Sequence, residues 1–328
     1  MRGTMNALLC ERLGPPESLV LADLPIPEPG PGEALIRVRA AGLNFFDTLI
    51  IQGRYQVAPD LPFSPGGELC GEISALGPGV TGWREGQRVV AYLGFGAARE
   101  YVLARADTLA AAPDGLDDAR AAGLSVTYGT TLHALVDRAA IRPGETLAVL
   151  GAAGGTGLAA VEIGKALGAR VIACASSDEK LALARASGAD EVLNYAEENL
   201  KERLKALTGG RGCDVVYDPV GGDLAEQALR ATAWEGRFLV IGFAGGGIPK
   251  IPLNLLLLKG CDLRGVFWGE FVRREPARHA ANMERLLAWA LDGTIQARID
   301  EIYPLAETPR ALQRLARREA KGKLVITP

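Results

Sequence analysis

The stretch that most constrains this chain runs from Glu145 to Gly168. A short apolar strand, ETLAVL, meets a glycine-rich turn, Gly151-Ala152-Ala153-Gly154-Gly155-Thr156-Gly157, and then a helix that opens LAAVEIGKALG. A strand that feeds a helix through so short a turn starts a βαβ crossover, and crossovers require a parallel sheet covered by helices. The same texture continues downstream. Candidate strands at Thr146 to Leu150, Arg170 to Ala175, Glu191 to Leu193, Asp214 to Tyr217, Arg237 to Ile241 and Leu263 to Phe267 alternate with Ala- and Leu-rich helical windows, and Gly168 and Gly188 stand where helix C-caps belong. Six strands joined by five crossovers make one doubly wound unit.

The sequence before this region has a different pattern. Through about residue 120 the apolar runs are short and alternating, as in Glu33 to Ala40, Gly71 to Leu76 and Arg88 to Tyr92, and they are punctuated by PGPG at Pro29 to Gly32 and GPGVTG at Gly77 to Gly82. This is the pattern of a barrel-like β domain. After the sixth candidate strand, helices over Ala280 to Leu291 and Arg310 to Ala320 and a strand over Lys323 to Ile326 are too little for a third domain, so they are expected to return and complete the first. The expected division is 1–123 with 269–328 as one domain and 124–268 as an insertion. Residues 1–4, ahead of Met5, read as a start-site extension.

Composition excludes several classes of function. The 36 Lys plus Arg against 39 Asp plus Glu give a net charge of −3, with no basic tract to bind nucleic acid or anionic lipid. The apolar run Leu255 to Leu258 stops at Lys259, and the N-terminus has no signal-peptide core, so no membrane association and a cytoplasmic location are expected. The cysteines, Cys10, Cys70, Cys174, Cys213 and Cys261, follow neither a disulfide framework nor a zinc-type spacing, and they read as reduced thiols.

The chemistry centres on the glycine turn. Gly154 lets backbone approach a pyrophosphate, Gly157 allows helix to pack closely on strand, and the helix N-terminus offers unpaired N–H groups to negative charge, so Ala153, Gly154, Gly155, Thr156 and Gly157 form the expected phosphate cradle. Ala152 takes the place of the first glycine of the GxGxxG pattern. About twenty residues on, an NAD-preferring chain ends its second strand in an acid that binds the ribose 2′-hydroxyl. This one ends Ala175-Ser176-Ser177, with Asp178 arriving only later and Lys180 opening the next helix. Ser176 and Lys180, with the Tyr195 hydroxyl, suit a 2′-phosphate, and NADPH is the expected cofactor.

Several longer stretches extend these observations: AGLNFFDTLIIQGRY (Ala41 to Tyr55), LPFSPGGELCGEI (Leu61 to Ile73), GVTGWREGQRVV (Gly79 to Val90), GTTLHAL (Gly129 to Leu135), VVYDPVGG (Val215 to Gly222) and AWEGRFLVIGFAGG (Ala233 to Gly246). Together they resemble the medium-chain dehydrogenase/reductase superfamily and, within it, the zinc-free quinone oxidoreductases. The resemblance implies an α/β fold in which a GroES-like β-barrel catalytic domain carries an inserted Rossmann domain with a doubly wound parallel sheet. Zinc-dependent relatives carry Cys and His where this chain has Asn44 and Gly67, and only His133 and His279 exist in the whole sequence, so no metal is expected.

By the same resemblance, Asn44 and Thr131 would sit beside the nicotinamide. Gly242, Phe243 and Ala244 would bind its carboxamide region, Phe267 and Trp268 would pass along the ring, and Tyr55 would line the acceptor pocket. Asn44 and Asp47 equally suit side-chain to backbone bonds that fix their loop. His133 reads as structural, and Asp218 as the residue that orders its loop. The implied activity is NADPH-dependent reduction of quinones or other α,β-unsaturated carbonyls by a homodimer joined through the last strand of the inserted sheet. An enoyl-thioester reductase and an NADPH-binding protein with little turnover are the alternatives. An aromatic pocket wall is the competing role for Tyr55.

Overall fold

The computed structural model describes residues 3–328. Residues 127–271 with 294–296 form one compact unit, and residues 3–126, 272–293 and 297–328 form the other.

The first of these units is built on six parallel strands: β1 (Thr146–Leu150), β2 (Arg170–Ala175), β3 (Glu191–Asn194), β4 (Cys213–Asp218), β5 (Thr232–Val240) and β6 (Asp262–Gly265). Their spatial order is β3-β2-β1-β4-β5-β6. The chain therefore starts at the sheet centre, winds to one edge and crosses back, which leaves a switch point between β1 and β4. Helices α1 (Gly155–Ala166), α2 (Asp178–Ala186), α3 (Leu200–Leu207), α4 (Gly222–Arg230) and α5 (Asn254–Lys259) make the crossovers. Strand β1 is buried along its whole length, so its continuous apolar run reads as a central strand should. Gly168 and Gly188 follow their helices at φ of +77° and +104°, where a side chain would be strained.

In this sheet two strand boundaries lie more than one residue from expectation. Strand β5 starts at Thr232 rather than Arg237, because Glu235 takes φ +56° and the pairing with β4 slips between Cys213 and Val215, as in a bulge. Strand β6 stops at Gly265: Val266 still donates its N–H to Val240 O at 3.0 Å, but Trp268 already opens the helix Trp268–Arg274. Arg237 meets Glu145 with two hydrogen bonds, of 3.0 and 2.6 Å, and ties β5 to the residue that precedes β1.

The other unit carries a sheet whose order runs Ile299–Pro304, Lys323–Thr327, Glu33–Leu43, Glu68–Leu76, Arg88–Tyr92 and Ala110–Ala111, with Tyr101–Arg105 also paired to Glu33–Leu43. Leu8, Ile36, Leu69, Ile73, Leu324 and Ile326 belong to its core. The returning C-terminal chain thus supplies an interior strand of this sheet. The strand Ile299–Pro304 was not expected: its sequence, IDEIYP, sets two adjacent acids after its first residue and ends in proline, a weak strand signal. The last helix spans Thr308–Ala316 and stops short of Ala320, since Arg318 has φ +59°. Of the leader, Met1 and Arg2 lie outside the described residues, while Thr4 pairs with Pro25. All five cysteines are buried free thiols, and no helix among the described residues is long and apolar enough to cross a membrane.

Candidate active site

Three neighbouring strands of the second-described unit bring three polar side chains to one end of their sheet. Glu33–Leu43 ends just before Asn44, Glu68 opens the next strand, and Lys323 opens the C-terminal strand on the other side. The antiparallel registers Gly42↔Glu68 and Leu324↔Leu43 account for the meeting: a strand end lies beside two strand starts. Lys323 Nζ bonds to Asn44 Oδ1 at 2.6 Å and forms an ion pair with Glu68 Oε1, and Asn44 Nδ2 donates to the same Glu68 oxygen at 2.9 Å. The other Glu68 oxygen accepts the Val126 N–H at 2.7 Å. Asn44 and Lys323 are each 6% exposed and Glu68 is fully buried, so the charges satisfy one another in an interior where a lone charge would cost several kcal/mol. Gly42 makes room: a Cβ there would lie 2.8 Å from Glu68 Oε1, 2.8 Å from Lys323 Cε and 2.9 Å from Ala122 O.

Asp47, one turn into the helix Phe45–Ile50, is also buried; its two carboxyl oxygens accept N–H groups from Asn44 at 2.7 Å and Gly66 at 3.0 Å. Burial pushes its carboxyl up to about 7, against the pull of those two bonds and of the Lys323 charge. Tyr55 stacks on Phe46 with ring centroids 5.3 Å apart, and burial, reinforced by the nearby Asp47 charge, raises its phenol above the ordinary value. It stays protonated at neutral pH and is a hydrogen-bond donor.

In the doubly wound unit, the glycine turn is set by close approach. Gly151 has φ +59°, and a Cβ on Gly157 would sit 2.2 Å from Gly151 O and 2.7 Å from Ala152 Cα, so only glycine fits there. Ala152 and Ala153 are buried under the turn, whereas Gly154 is exposed at the N-cap of α1 with no side chain closing the first turn. The open helix end and the narrow turn fit a pyrophosphate. Past the end of β2, Ser177 caps α2 by accepting the Lys180 N–H, and the Lys180 side chain reaches back so that Nζ lies 3.4 Å from the exposed Ser176 Oγ. Asp178 Oδ1 accepts from Asn194 Nδ2 at 3.2 Å. The Tyr195 N–H bonds to Ala175 O at 3.0 Å, which brings Tyr195 beside the same strand end.

Thr131 is fully buried. Its hydroxyl donates to Thr127 O at 2.8 Å and lies 2.8 Å from the Tyr217 hydroxyl; with its single proton spent on the carbonyl, Tyr217 is the donor of that second bond. Gly242, Phe243 and Ala244 leave the end of β5 in a loop laced to the one after β4: Ala244 N–H bonds to Pro219 O and Gly245 N–H to Val220 O, at 3.0 and 2.7 Å. Asp218 orders that neighbouring loop by accepting the Val220 and Gly221 N–H groups at 2.8 and 2.9 Å. Phe267 is exposed, while Trp268 is buried against Gly129, where a Cβ would lie 2.8 Å from its ring. His133 Nδ1 pairs with Asp137 Oδ2 at 2.8 Å and its ring stacks on Phe271, a structural role.

Sequence reasoning named Asn44 and missed Glu68 and Lys323. The available signal was a charged residue directly ahead of an apolar strand, in Glu68-Leu69-Cys70 and Lys323-Leu324-Val325. The donor set around Asn44 does not suit zinc. Asn44 is a poor ligand, Gly67 has no side chain, and Glu68 Oε1 is already engaged by an ammonium; among the described residues no group of three His, Cys, Asp or Glu is placed to hold a metal ion.

Comparison with known proteins agrees with this architecture. Residues 30–114 match the family described as the alcohol dehydrogenase GroES-like domain, and residues 155–288 match the family described as zinc-binding dehydrogenase. The chain is 39% identical over 323 residues to quinone oxidoreductase-like protein 2 of Bos taurus, covering 98% of this chain and 92% of that one. It is 38% identical over 317 residues to a quinone oxidoreductase of Pseudomonas aeruginosa, covering 96% and 97%. The solved structure of Escherichia coli quinone oxidoreductase complexed with NADPH superimposes with a TM-score of 0.91 at 31% identity, over 98% of this chain and 100% of that one. With a GroES-like sheet, an inserted Rossmann sheet and relatives of this kind along nearly its full length, the chain belongs to the medium-chain dehydrogenase/reductase superfamily, as an oxidoreductase of the quinone oxidoreductase type.

Proposed function

We propose that this protein is an NADPH-dependent reductase of quinones or other α,β-unsaturated carbonyls that works without a metal ion. The observation that carries the proposal is the Lys180 Nζ to Ser176 Oγ approach of 3.4 Å just past β2, with the nearest following acid, Asp178, taken up by Asn194. A cation and a hydroxyl at that strand end suit a 2′-phosphate, whereas an NAD-preferring site keeps a carboxylate there. The names of the relatives, quinone oxidoreductases, support the acceptor class.

NADPH supplies a hydride when bound. The chain's own residues bind and orient. In the doubly wound unit, Ala153, Gly154, Gly155, Thr156 and Gly157 cradle the pyrophosphate, and Ser176, Lys180 and Tyr195 hold the 2′-phosphate. Thr131, Gly242, Phe243, Ala244, Phe267 and Trp268 serve the nicotinamide end. In the other unit, Asn44, expected beside the nicotinamide, and Tyr55, expected in the acceptor pocket, offer neutral donors to the acceptor. A saturated carbonyl needs a Lewis acid or a strong donor to take up negative charge. Asn44 and a Tyr55 phenol with a raised pKa are neutral donors, which fits an acceptor that spreads the charge over its own conjugated system. We further assign residues 1–123 and 269–328 to the catalytic domain and 124–268 to dinucleotide binding, and propose a cytoplasmic homodimer.

The test follows NADPH absorbance with 1,4-benzoquinone, a conjugated enone, a crotonyl thioester and an aliphatic aldehyde, alongside metal analysis and assays with chelator. Turnover of quinone or enone by protein free of stoichiometric zinc is the expected result. Preference for the aldehyde, or loss of turnover on chelation, overturns the proposal, and preference for the thioester assigns the protein to acyl-thioester reduction.

A further inference from the structure

An asparagine side chain can present either an acceptor oxygen or a donor N–H to a ligand, and the network around Asn44 decides between them. Asn44 Oδ1 accepts from Lys323 Nζ at 2.6 Å, Asn44 Nδ2 donates to Glu68 Oε1 at 2.9 Å, and Lys323 closes the triangle on that same carboxylate oxygen. An ammonium has only donors and a carboxylate only acceptors. Turning the amide over would set N–H against N–H at Lys323 and oxygen against oxygen at Glu68. One N–H of Nδ2 remains outside the triangle.

The corners of the triangle are themselves held. Glu68 cannot rotate away, because its second oxygen takes the Val126 N–H at 2.7 Å, and the Asn44 backbone N–H is held by Asp47 at 2.7 Å. Glycines clear the path of the lysine: a Cβ on Gly42 would meet Lys323 Cε at 2.8 Å, and one on Gly123 would meet its Cγ at 3.0 Å. An amide whose oxygen accepts from a cation is polarised, which strengthens its remaining N–H as a donor.

We propose that Lys323 is a positioning residue that locks Asn44 as a hydrogen-bond donor, so that the free Nδ2–H meets an acceptor oxygen of the ligand, of the carbonyl or quinone class. The inference rests on the assignment of Asn44 to the acceptor under Proposed function. A buried lysine thereby acts on the substrate through the asparagine, without touching it.

The experiment has two readouts. The first is asparagine-selective ¹⁵N labelling, with the Asn44 side-chain resonances assigned by their loss in Asn44→Ala. Wild type should show two well-separated protons on Asn44 Nδ2, the one bonded to Glu68 exchanging slowly; in Lys323→Met their separation should shrink and exchange of that bonded proton should rise about tenfold or more, as for a group released from a buried charge-assisted bond. Lys323→Met leaves the Glu68 charge buried alone, so Lys323→Met/Glu68→Gln, which removes both charges, provides the same comparison if the single variant does not fold.

The second readout is turnover of 1,4-benzoquinone. Lys323→Met should lower kcat about tenfold with the KM for NADPH held within about twofold, and in an Asn44→Ala background it should cost no more than about twofold further, because the two residues act as one unit. Unchanged Asn44 resonances on removal of Lys323, or kinetic losses that simply multiply, overturn the proposal. Resonances that respond to Lys323 while Asn44→Ala turns over at the wild-type rate uphold the lock and refute the assignment of Asn44 to the acceptor.

Discussion

Lys180 folds back along the first turn of α2 until its Nζ lies 3.4 Å from Ser176 Oγ, so a residue in the helix and one at the strand end present a single polar face. Together they should set cofactor preference. A charge-assisted phosphate bond contributes roughly 1.5–3 kcal/mol, or about 10- to 150-fold in affinity. Lys180→Ala should therefore weaken NADPH binding by that factor and leave NADH binding nearly unchanged. Paired titrations of both cofactors check it; equal loss for the two would count against a 2′-phosphate contact.

Asp47 makes stability depend on pH in an unusual direction. Its folded carboxyl is raised to about 7 by burial, while in the unfolded chain it lies near ~3.9. Between these values the folded protein keeps a proton that the unfolded chain has lost, so Asp47's contribution is fully present below about pH 4 and declines as pH rises through 7, by at most ~1.4 kcal/mol per pH unit. Asp47→Asn should flatten this decline. Urea midpoints at pH 5 and pH 7.5 for both proteins measure it, and an equal change in the two would show that Asp47 is not the titrating group.

The two central glycines of the turn should fail in different ways. A Cβ on Gly157 meets backbone at 2.2 and 2.7 Å, which cannot yield cheaply, so Gly157→Ala should lose roughly 1–3 kcal/mol or more of stability. A Cβ on Gly154 has Gly151 O at 3.4 Å as its only neighbour, an ordinary contact, so Gly154→Ala should melt near the wild-type temperature and lose NADPH affinity, because its methyl group occupies the approach of the pyrophosphate. Thermal melts with and without NADPH separate the two. A Gly154→Ala variant that binds like wild type would remove Gly154 from the cradle.

Strand β6 is the edge of its sheet, and Leu257 and Leu258, just before it, are 81% and 70% exposed. An open sheet edge beside exposed leucines of α5 suits coverage by a second copy. Light scattering at micromolar concentration should report a dimer, and Leu257→Lys/Leu258→Lys should shift it toward monomer while the far-UV spectrum is retained. Val266→Pro would be a poor probe, since the Val266 N–H is spent within the sheet on Val240 O. A monomeric wild type would end the dimer proposal.

Much of the fold was legible because local pattern and tertiary context agree. Thr146–Leu150, Arg170–Ala175 and Arg88–Tyr92 were delimited correctly from apolar runs bounded by charged residues and glycine turns. Ile299–Pro304 was not legible because its acids and final proline argue against a strand, and what holds it is pairing with Lys323–Thr327. The residues proposed to face the nucleotide could be named since the turn, the strand end and the helix start are adjacent in sequence. The Asn44 network could not: its members lie 24 and 279 residues from Asn44, and only the order of strands in the sheet brings them together.

That separation also has a history in time. Glu68 and Asn44 leave the ribosome early, and the cation that balances Glu68 is encoded 255 residues after it. At ~5–20 residues per second, roughly 13–50 s of synthesis pass before Lys323 exists. During that interval the carboxylate has no counter-charge, and its sheet lacks the interior strand Lys323–Thr327, so it has every reason to stay hydrated and open. The doubly wound sheet, whose last strand ends at Gly265, faces no such delay. Vectorial synthesis therefore encodes the whole doubly wound sheet before the final strand closes the charged network, so a nascent or C-terminally clipped chain lacks a closed Asn44 network.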